Sequence, residues 1–179
     1  MNKNIPETEK VFPQELWIDT LKTEDAIDLI IENQNKAIDA ILKARENIYN
    51  VIENVSMVLN NNTGSLIYIG AGSSGRLGIL DGAELPPTFG WSKDRIKFLL
   101  AGGKEAMFES AENMEDKTEK ISSLINDYNI GKKDIAIGLS ASGSTRFTVE
   151  AIIQANKLGA LTIGIANNKN APLLKVAKH

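Results

Sequence analysis

Apolar residues fall into a helical rhythm soon after the start of the chain. From Thr23 onward, Ile27, Ile30, Ile31, Ile38, Ile41 and Leu42 recur every three or four positions. Thr23-Glu24-Asp25 places a capping hydroxyl and two acids at the start of this helix. A second helical pattern runs through Ile48, Val51, Ile52, Val55, Val58 and Leu59, and Asn60-Asn61-Asn62-Thr63-Gly64 stops it. Residues 1–20 show no such rhythm and contain Pro6 and Pro13. They predict a loose arm, with Phe12, Leu16 and Trp17 as its candidate packing residues.

After Gly64 the period changes. Ser65–Gly70 is a short apolar run ending in glycine, which predicts a buried strand of a parallel sheet. Arg95–Leu100 is a second strand candidate, stopped by Ala101-Gly102-Gly103, and Asp134–Leu139 and Ala160–Ala166 are a third and a fourth. Lys104–Tyr128 predicts a helix with an acidic exposed face, Phe147–Lys157 a helix after the third strand, and Pro172–Ala177 the start of another. Strands alternating with helices over short connections predict an α/β layered fold with right-handed crossovers. Ligands of such sheets bind at the carboxyl ends of the strands.

Composition narrows the function classes. The 179 residues hold 20 Lys+Arg against 23 Asp+Glu, for a net charge of −3, with 42% apolar residues. That balance fits one globular domain with a sizeable core, disfavours disorder, and builds no basic stripe for nucleic acid. With no cysteine, disulfides, thiolate metal sites and a Cys nucleophile are excluded. The one histidine is the last residue, His179, so proton transfer must rest on carboxylates, Lys, Tyr or water. No apolar run is long enough for a membrane span and the first ten residues lack a secretory apolar core, so a cytoplasmic protein is expected.

Three stretches carry candidate chemistry. The first strand runs into Gly70-Ala71-Gly72-Ser73-Ser74-Gly75. Glycines there let backbone N–H groups approach an anion, and a helix N-terminus follows. The glycine spacing also fits a dinucleotide fingerprint, a weak signal by itself, while adjacent serines suit a phosphate monoester better. The third strand ends in Ser140-Ala141-Ser142-Gly143-Ser144-Thr145, a second hydroxyl-rich turn at the same end of the sheet. Either loop alone reads as a helix cap; two of them on one crevice read as a phosphate site. Between them lies Asp81-Gly82-Ala83-Glu84-Leu85-Pro86-Pro87, where the Pro pair is expected to end any helix just after Glu84. A carboxylate beside that rigid turn is a candidate general acid or base, although on spacing alone Asp81 and Glu84 read equally well as solvated charges. Glu112 sits among Glu109, Glu115 and Asp116, and spacing does not separate it from them.

Four segments, Ile67–Gly90, Leu100–Asp116, Gly138–Ile152 and Gly159–Leu173, resemble the N-acetylmuramic acid 6-phosphate etherase family and, more broadly, the sugar isomerase (SIS) domain family, which includes glucokinase regulatory proteins. The resemblance runs from about Leu21 to Leu174. It implies a flavodoxin-like SIS domain over residues 21–179, a three-layer α/β/α fold with a five-stranded parallel sheet and an N-terminal helical segment, acting as a homodimer. It implies cleavage of the lactyl ether of N-acetylmuramic acid 6-phosphate, with no metal or organic cofactor. By the same resemblance Ser73, Ser74, Ser140, Ser142 and Thr145 hold the substrate phosphate. Glu84, in the D-x-x-E-x-P-P motif, and Glu112, after the Ala-Gly-Gly turn, are the catalytic pair, with Glu112 as the base at C2 and Glu84 as the acid/base at C3. The sequence departs from the family at Gly82, Ala83 and Leu85, where Ala, Ser and Cys are usual, and at Ser144-Thr145-Arg146, where the family has Arg then Thr-Pro. It also stops at His179, where a fifth strand is expected, so an incomplete C-terminus is anticipated. That leaves a non-catalytic phosphosugar-binding regulator as the alternative to a lyase. An aldose–ketose isomerase of the wider family is disfavoured, because the one histidine is the last residue, His179.

Overall fold

The structure, a computed structural model, describes residues 5–11, 13–60, 63–109 and 121–179. It divides into two compact units, residues 1–52 and 53–179.

The first unit holds three short 3-10 turns, Glu7–Glu9, Gln14–Leu16 and Ile18–Thr20, and most of a long helix, α1 (Thr23–Asn60). Leu16 and Trp17 keep 43% and 42% of their surface exposed, so neither is a core residue, and Phe12 lies outside the described residues. The two helical patterns of the sequence are one helix of 38 residues. The bridge between them, Lys43-Ala44-Arg45-Glu46-Asn47, contains no Gly or Pro, so nothing interrupts the hydrogen-bond ladder.

The second unit is a parallel sheet of β1 (Leu66–Gly70), β2 (Ile96–Leu100), β3 (Ile135–Leu139) and β4 (Leu161–Ile165) in the order β2-β1-β3-β4. Each strand forms where the sequence places a short, β-rich apolar run between turn residues. The connections carry α2 (Gly72–Phe89), α3 (Ile121–Asp127) and α4 (Arg146–Lys157), and α5 (Pro172–Val176) follows β4. Pleating sends alternate residues to opposite faces. Ile67, Ile69, Leu99 and Ala136 join Ile121, Ile125, Ile152 and Leu173 in the main core, beneath α3, α4 and α5. Tyr68 and Phe98 point the other way, under α2, with ring centroids 5.9 Å apart. Three layers result.

Three features depart from expectation. The helix expected over Lys104–Tyr128 begins as a tight 3-10 turn, Lys104–Met107; only Ile121–Asp127 of its described part is α-helical, and 110–120 lie outside the described residues. Gly102 and Gly103, at φ of 85° and 72°, turn the chain too sharply to lead directly into an α-helix. The Pro pair does not end its helix at Glu84: α2 continues through Pro86 and Pro87 to Phe89. The lost N–H groups affect only the last turn, and Gly90, with φ of 67°, closes it by donating to Pro86 O. Finally, the described sheet has four strands. His179 nevertheless makes the first rung of parallel pairing beside Ile163: its N–H donates to Thr162 O at 3.2 Å and Gly164 N donates to its carbonyl at 2.8 Å.

Candidate functional site

The strand order gives the site its place. From β1 the chain winds outward to β2, then returns past β1 to β3 and β4. The winding reverses between β1 and β3, which are neighbours, so the loops at their carboxyl ends diverge and leave a crevice. Those loops are the two hydroxyl-rich turns.

The first is built by a close approach. A Cβ on Gly70 would stand 2.7 Å from Gly75 Cα and 3.1 Å from Leu139 O, all backbone, so strand end and helix start touch directly. Gly75 N is the first amide of α2 to bond back, to Ala71 O. The amides of Gly72, Ser73 and Ser74 precede it, and Ala71 supplies no side-chain cap. Ser73 is exposed on this first turn. The second turn is organised by Ser140, which is buried. Its hydroxyl accepts from Gly143 N at 3.0 Å, pairs with Thr145 Oγ1 at 2.9 Å, and lies 3.4 Å from Ser142 Oγ. Ser142 Oγ accepts from Ser144 N and Oγ at 3.2 and 3.0 Å. Gly143 makes the turn possible: its φ is 67°, and a Cβ there would meet Ala171 Cβ at 2.4 Å. Thr145 precedes α4 and also makes no side-chain cap.

The loops meet. Ala141 N donates to Ser74 Oγ at 3.3 Å, joining residues 67 positions apart. Four of the five predicted serine and threonine positions, Ser74, Ser140, Ser142 and Thr145, therefore form one connected group, with Ser73 beside it. Two helix starts without side-chain caps point their positive ends at the same crevice, an arrangement that favours a small anion such as phosphate.

The carboxylates are disposed differently. Glu84 is exposed. Eleven residues separate it from Ser73, which is about 16 Å along the axis of α2. At 100° per residue it also lies roughly opposite Gly75, Gly78 and Gly82, the buried glycines on which α2 meets the sheet. It shares its outward face with Leu77 and Leu80, 65% and 62% exposed. Glu84 and the hydroxyl group of one chain are thus not brought together. Glu112 lies outside the described residues. Asp81 is held: Tyr68, buried beneath α2, donates its hydroxyl to Asp81 Oδ2 at 2.9 Å. Burial first, and the neighbouring carboxylate second, push the Tyr68 hydroxyl well above the usual tyrosine range.

Two further residues, on the helices that follow the hydroxyl-rich turns, were not marked by the sequence pattern. Arg76, on the second turn of α2, donates from Nε to Ala106 O at 2.8 Å and from an η nitrogen to Glu109 O at 2.7 Å. It fastens the turn after β2 to the helix that starts the first loop. Its signal was a lone cation in an otherwise small and apolar helix start. Thr148, on the first turn of α4, is fully buried, and its hydroxyl has no partner among the described residues. Nothing in the sequence distinguishes it from a surface threonine.

The fold and the paired phosphate-type turns define a class, and comparison with known proteins agrees. The family model for the glucokinase regulatory protein N-terminal SIS domain matches residues 47–157, and the chain belongs to that SIS-domain family. Among curated proteins it is similar to N-acetylmuramic acid 6-phosphate etherases. It is 41% identical over 177 residues to that of Clostridium acetobutylicum, covering 98% of this chain and 58% of that protein. It is 39% identical over 172 residues to that of Francisella tularensis subsp. novicida, covering 96% and 58%. The chain thus spans less than two thirds of the length of these relatives. Among solved structures, a phosphoheptose isomerase from Francisella tularensis superposes with a TM-score of 0.53 at 16% identity, covering 83% of this chain and 81% of that one. A protein of the E. coli strain CFT073 gives 0.55 at 19%, covering 88% and 72%. At these identities the likeness is one of fold, and it bears out the α/β SIS architecture expected from the sequence.

Proposed function

We propose that this chain is the phosphosugar-binding and catalytic part of a carbon–oxygen lyase that cleaves the D-lactyl ether of N-acetylmuramic acid 6-phosphate. The observation that carries the reading is the bond between Ala141 N and Ser74 Oγ, which merges two hydroxyl-rich turns at the switch point of the sheet. In this reading the 6-phosphate lies against Ser73, Ser74, Ser140, Ser142 and Thr145 and the uncapped starts of α2 and α4. The substrate reacts in its open-chain form, where C2–H is acidified by the C1 aldehyde. Glu112 removes that proton; the C3–O bond breaks, and Glu84 protonates the departing lactate oxygen. Water then adds at C3 of the unsaturated aldehyde, with Glu84 taking its proton, and C2 is reprotonated to give N-acetylglucosamine 6-phosphate. No metal or organic cofactor enters these steps.

Because Glu84 stands about 16 Å along α2 from the phosphate turns of its own chain, a six-carbon sugar held there does not span the gap. The reading therefore includes a homodimer, in which Glu84 of one copy serves the crevice of the other. The outward position of Glu84 and the name of the matching family model also favour a second reading, a regulator that binds the phosphosugar without turning it over.

The test is incubation of the chain with the substrate in heavy-oxygen water. Lactate release with the label at C3 is expected, and Glu84→Gln is expected to abolish release while phosphosugar binding survives. Binding without release in the unmutated chain selects the regulator. Unchanged release in Glu84→Gln overturns the catalytic assignment.

A further inference from the structure

The long helix α1 carries a surface the site does not use. Within its apolar stripe a four-three series runs through positions 27, 31, 34, 38, 41, 45, 48 and 52 and continues through Val55 and Leu59, with Ile30, Leu42 and Val51 flanking it. That is a heptad seam, with 31, 38, 45 and 52 as a positions and 27, 34, 41 and 48 as d positions. Isoleucine fills six of the eight, and those six side chains are between 41% and 61% exposed. The two exceptions are Gln34 and Arg45.

The placement of those two selects a partner. In a parallel pair of α1 helices each seam residue faces its own copy, so Arg45 would face the partner's Arg45. In an antiparallel pair, a positions face d positions. With the dyad between residues 39 and 40, paired numbers sum to 79. Ile27 then faces Ile52, Ile31 faces Ile48, Ile38 faces Ile41, and Gln34 faces Arg45, whose guanidinium can donate to the amide oxygen. Shifting the pairing by one heptad in either direction sets both Gln34 and Arg45 against isoleucine. Ala37 and Ala44 border the middle of the seam and keep the helices free to approach. The seam from Ile27 to Ile52 is about 38 Å long.

We infer that α1 is a self-association helix, which pairs antiparallel with α1 of a second copy in the register that joins Gln34 to the partner's Arg45. It names a contact surface for the homodimer put forward above and in that respect rests on that reading, but its test needs no turnover. The chain has no native cysteine, so single cysteines report cleanly. Gln34→Cys and Arg45→Cys proteins are oxidised separately and as a mixture. The mixture alone is expected to give a disulfide dimer, because each Cys and its own symmetry mate stand about 16 Å apart along the axis, beyond the 4.4–6.8 Å Cα separation a disulfide needs. Gln34→Lys, at an exposed position, is expected to weaken dimerisation about fivefold in sedimentation, and Gln34→Lys with Arg45→Glu to restore it. Cross-linking of Gln34→Cys with itself overturns the antiparallel register. A dimer in sedimentation that no mixture cross-links overturns the role of α1 but leaves the dimeric etherase reading standing. A monomer at all concentrations overturns both this inference and the trans placement of Glu84, and lactate release by that monomer still supports the chemistry.

Discussion

Helices α2 and α4 leave neighbouring strands at the same end of the sheet, yet they reach close packing in opposite ways. Under α2 the bulk is on the strands: Tyr68 and Phe98 fill the space, and the helix contributes Gly78 and Gly82, whose added Cβ atoms would stand 2.7 Å from Leu139 Cδ1 and 2.6 Å from Phe98 Cε1. Under α4 the bulk is on the helix. Phe147, Ile152 and Ala155 are buried, and β3 answers with Gly138, where a Cβ would stand 2.8 Å from Ile152 Cγ1. Both solutions remove water from the interface and fill the volume once. They differ in what they leave outside. A helix that packs through glycine gives its core face almost no side chain, so the larger residues of α2 (Leu77, Leu80 and Glu84) are carried on the outer face. The site's candidate carboxylate therefore belongs to a surface, while its candidate phosphate ligands belong to a crevice.

The comparison breaks most severely at Gly70→Ala. The obstructing atoms are Gly75 Cα and N and the Leu139 carbonyl, none of which can rotate away. We expect a loss of about 3 kcal/mol or more in chemical unfolding, together with loss of phosphosugar binding, since the same contact sets the start of α2. Recovery of wild-type stability in this variant would mean that strand and helix are not in backbone contact.

Gly82→Ala and Gly138→Ala sharpen it. Both place a methyl against side chains: Phe98 Cε1 at 2.6 Å and Tyr68 Cε2 at 2.9 Å in the first case, Ile152 Cγ1 at 2.8 Å and Leu173 Cδ1 at 3.1 Å in the second. Leu173 can change rotamer, and only Ile152 Cγ1 comes nearer than 3.0 Å, whereas the Phe98 and Tyr68 rings, two contacts nearer than 3.0 Å, are confined between sheet and helix. Gly82→Ala should therefore cost about 1–3 kcal/mol and Gly138→Ala less. The reverse order in urea titrations would show that the α2 interface is the softer of the two.

What could be read from the sequence follows the same division. The four strands, α4 and both hydroxyl turns were legible, because short apolar runs, Gly-Ser clusters and helical periodicity are local signals that the fold does not overrule. The end of α2 was not. Pro86-Pro87 is a breaker by local rules, but here the pair occupies a final turn whose carbonyls are closed by Gly90. Nor did spacing show that Glu84 faces away from the phosphate turns. That depends on which face of α2 meets the sheet, and the buried glycines that decide it carry no apolar periodicity. Arg76 was missed for a related reason: its partners are backbone carbonyls of Ala106 and Glu109, which no side-chain pattern announces.

The smallest effect tests the hydrogen bond between α2 and the strand beneath it. Tyr68→Phe keeps the ring that Gly78 and Gly82 rest on and removes only the bond to Asp81. Asp81 is exposed enough for water to replace the lost donor, so the expected loss at neutral pH is about 1 kcal/mol. The pH dependence separates this bond from simple packing. In the folded chain Tyr68 holds its proton well above the usual range, whereas in the unfolded chain it ionises near pH 10. Its contribution is therefore complete below about pH 10 and declines above it, as the unfolded state gains an ionised form the folded state lacks. Stability difference curves for wild type and Tyr68→Phe should run parallel from pH 7 to 9 and converge by about 1 kcal/mol by pH 11. The remaining titrating groups are common to both proteins and cancel in the difference. Curves that stay parallel to pH 11 would mean that the Tyr68 hydroxyl is as free to ionise under α2 as in water, and the helix would then be seated on the sheet by its glycines alone.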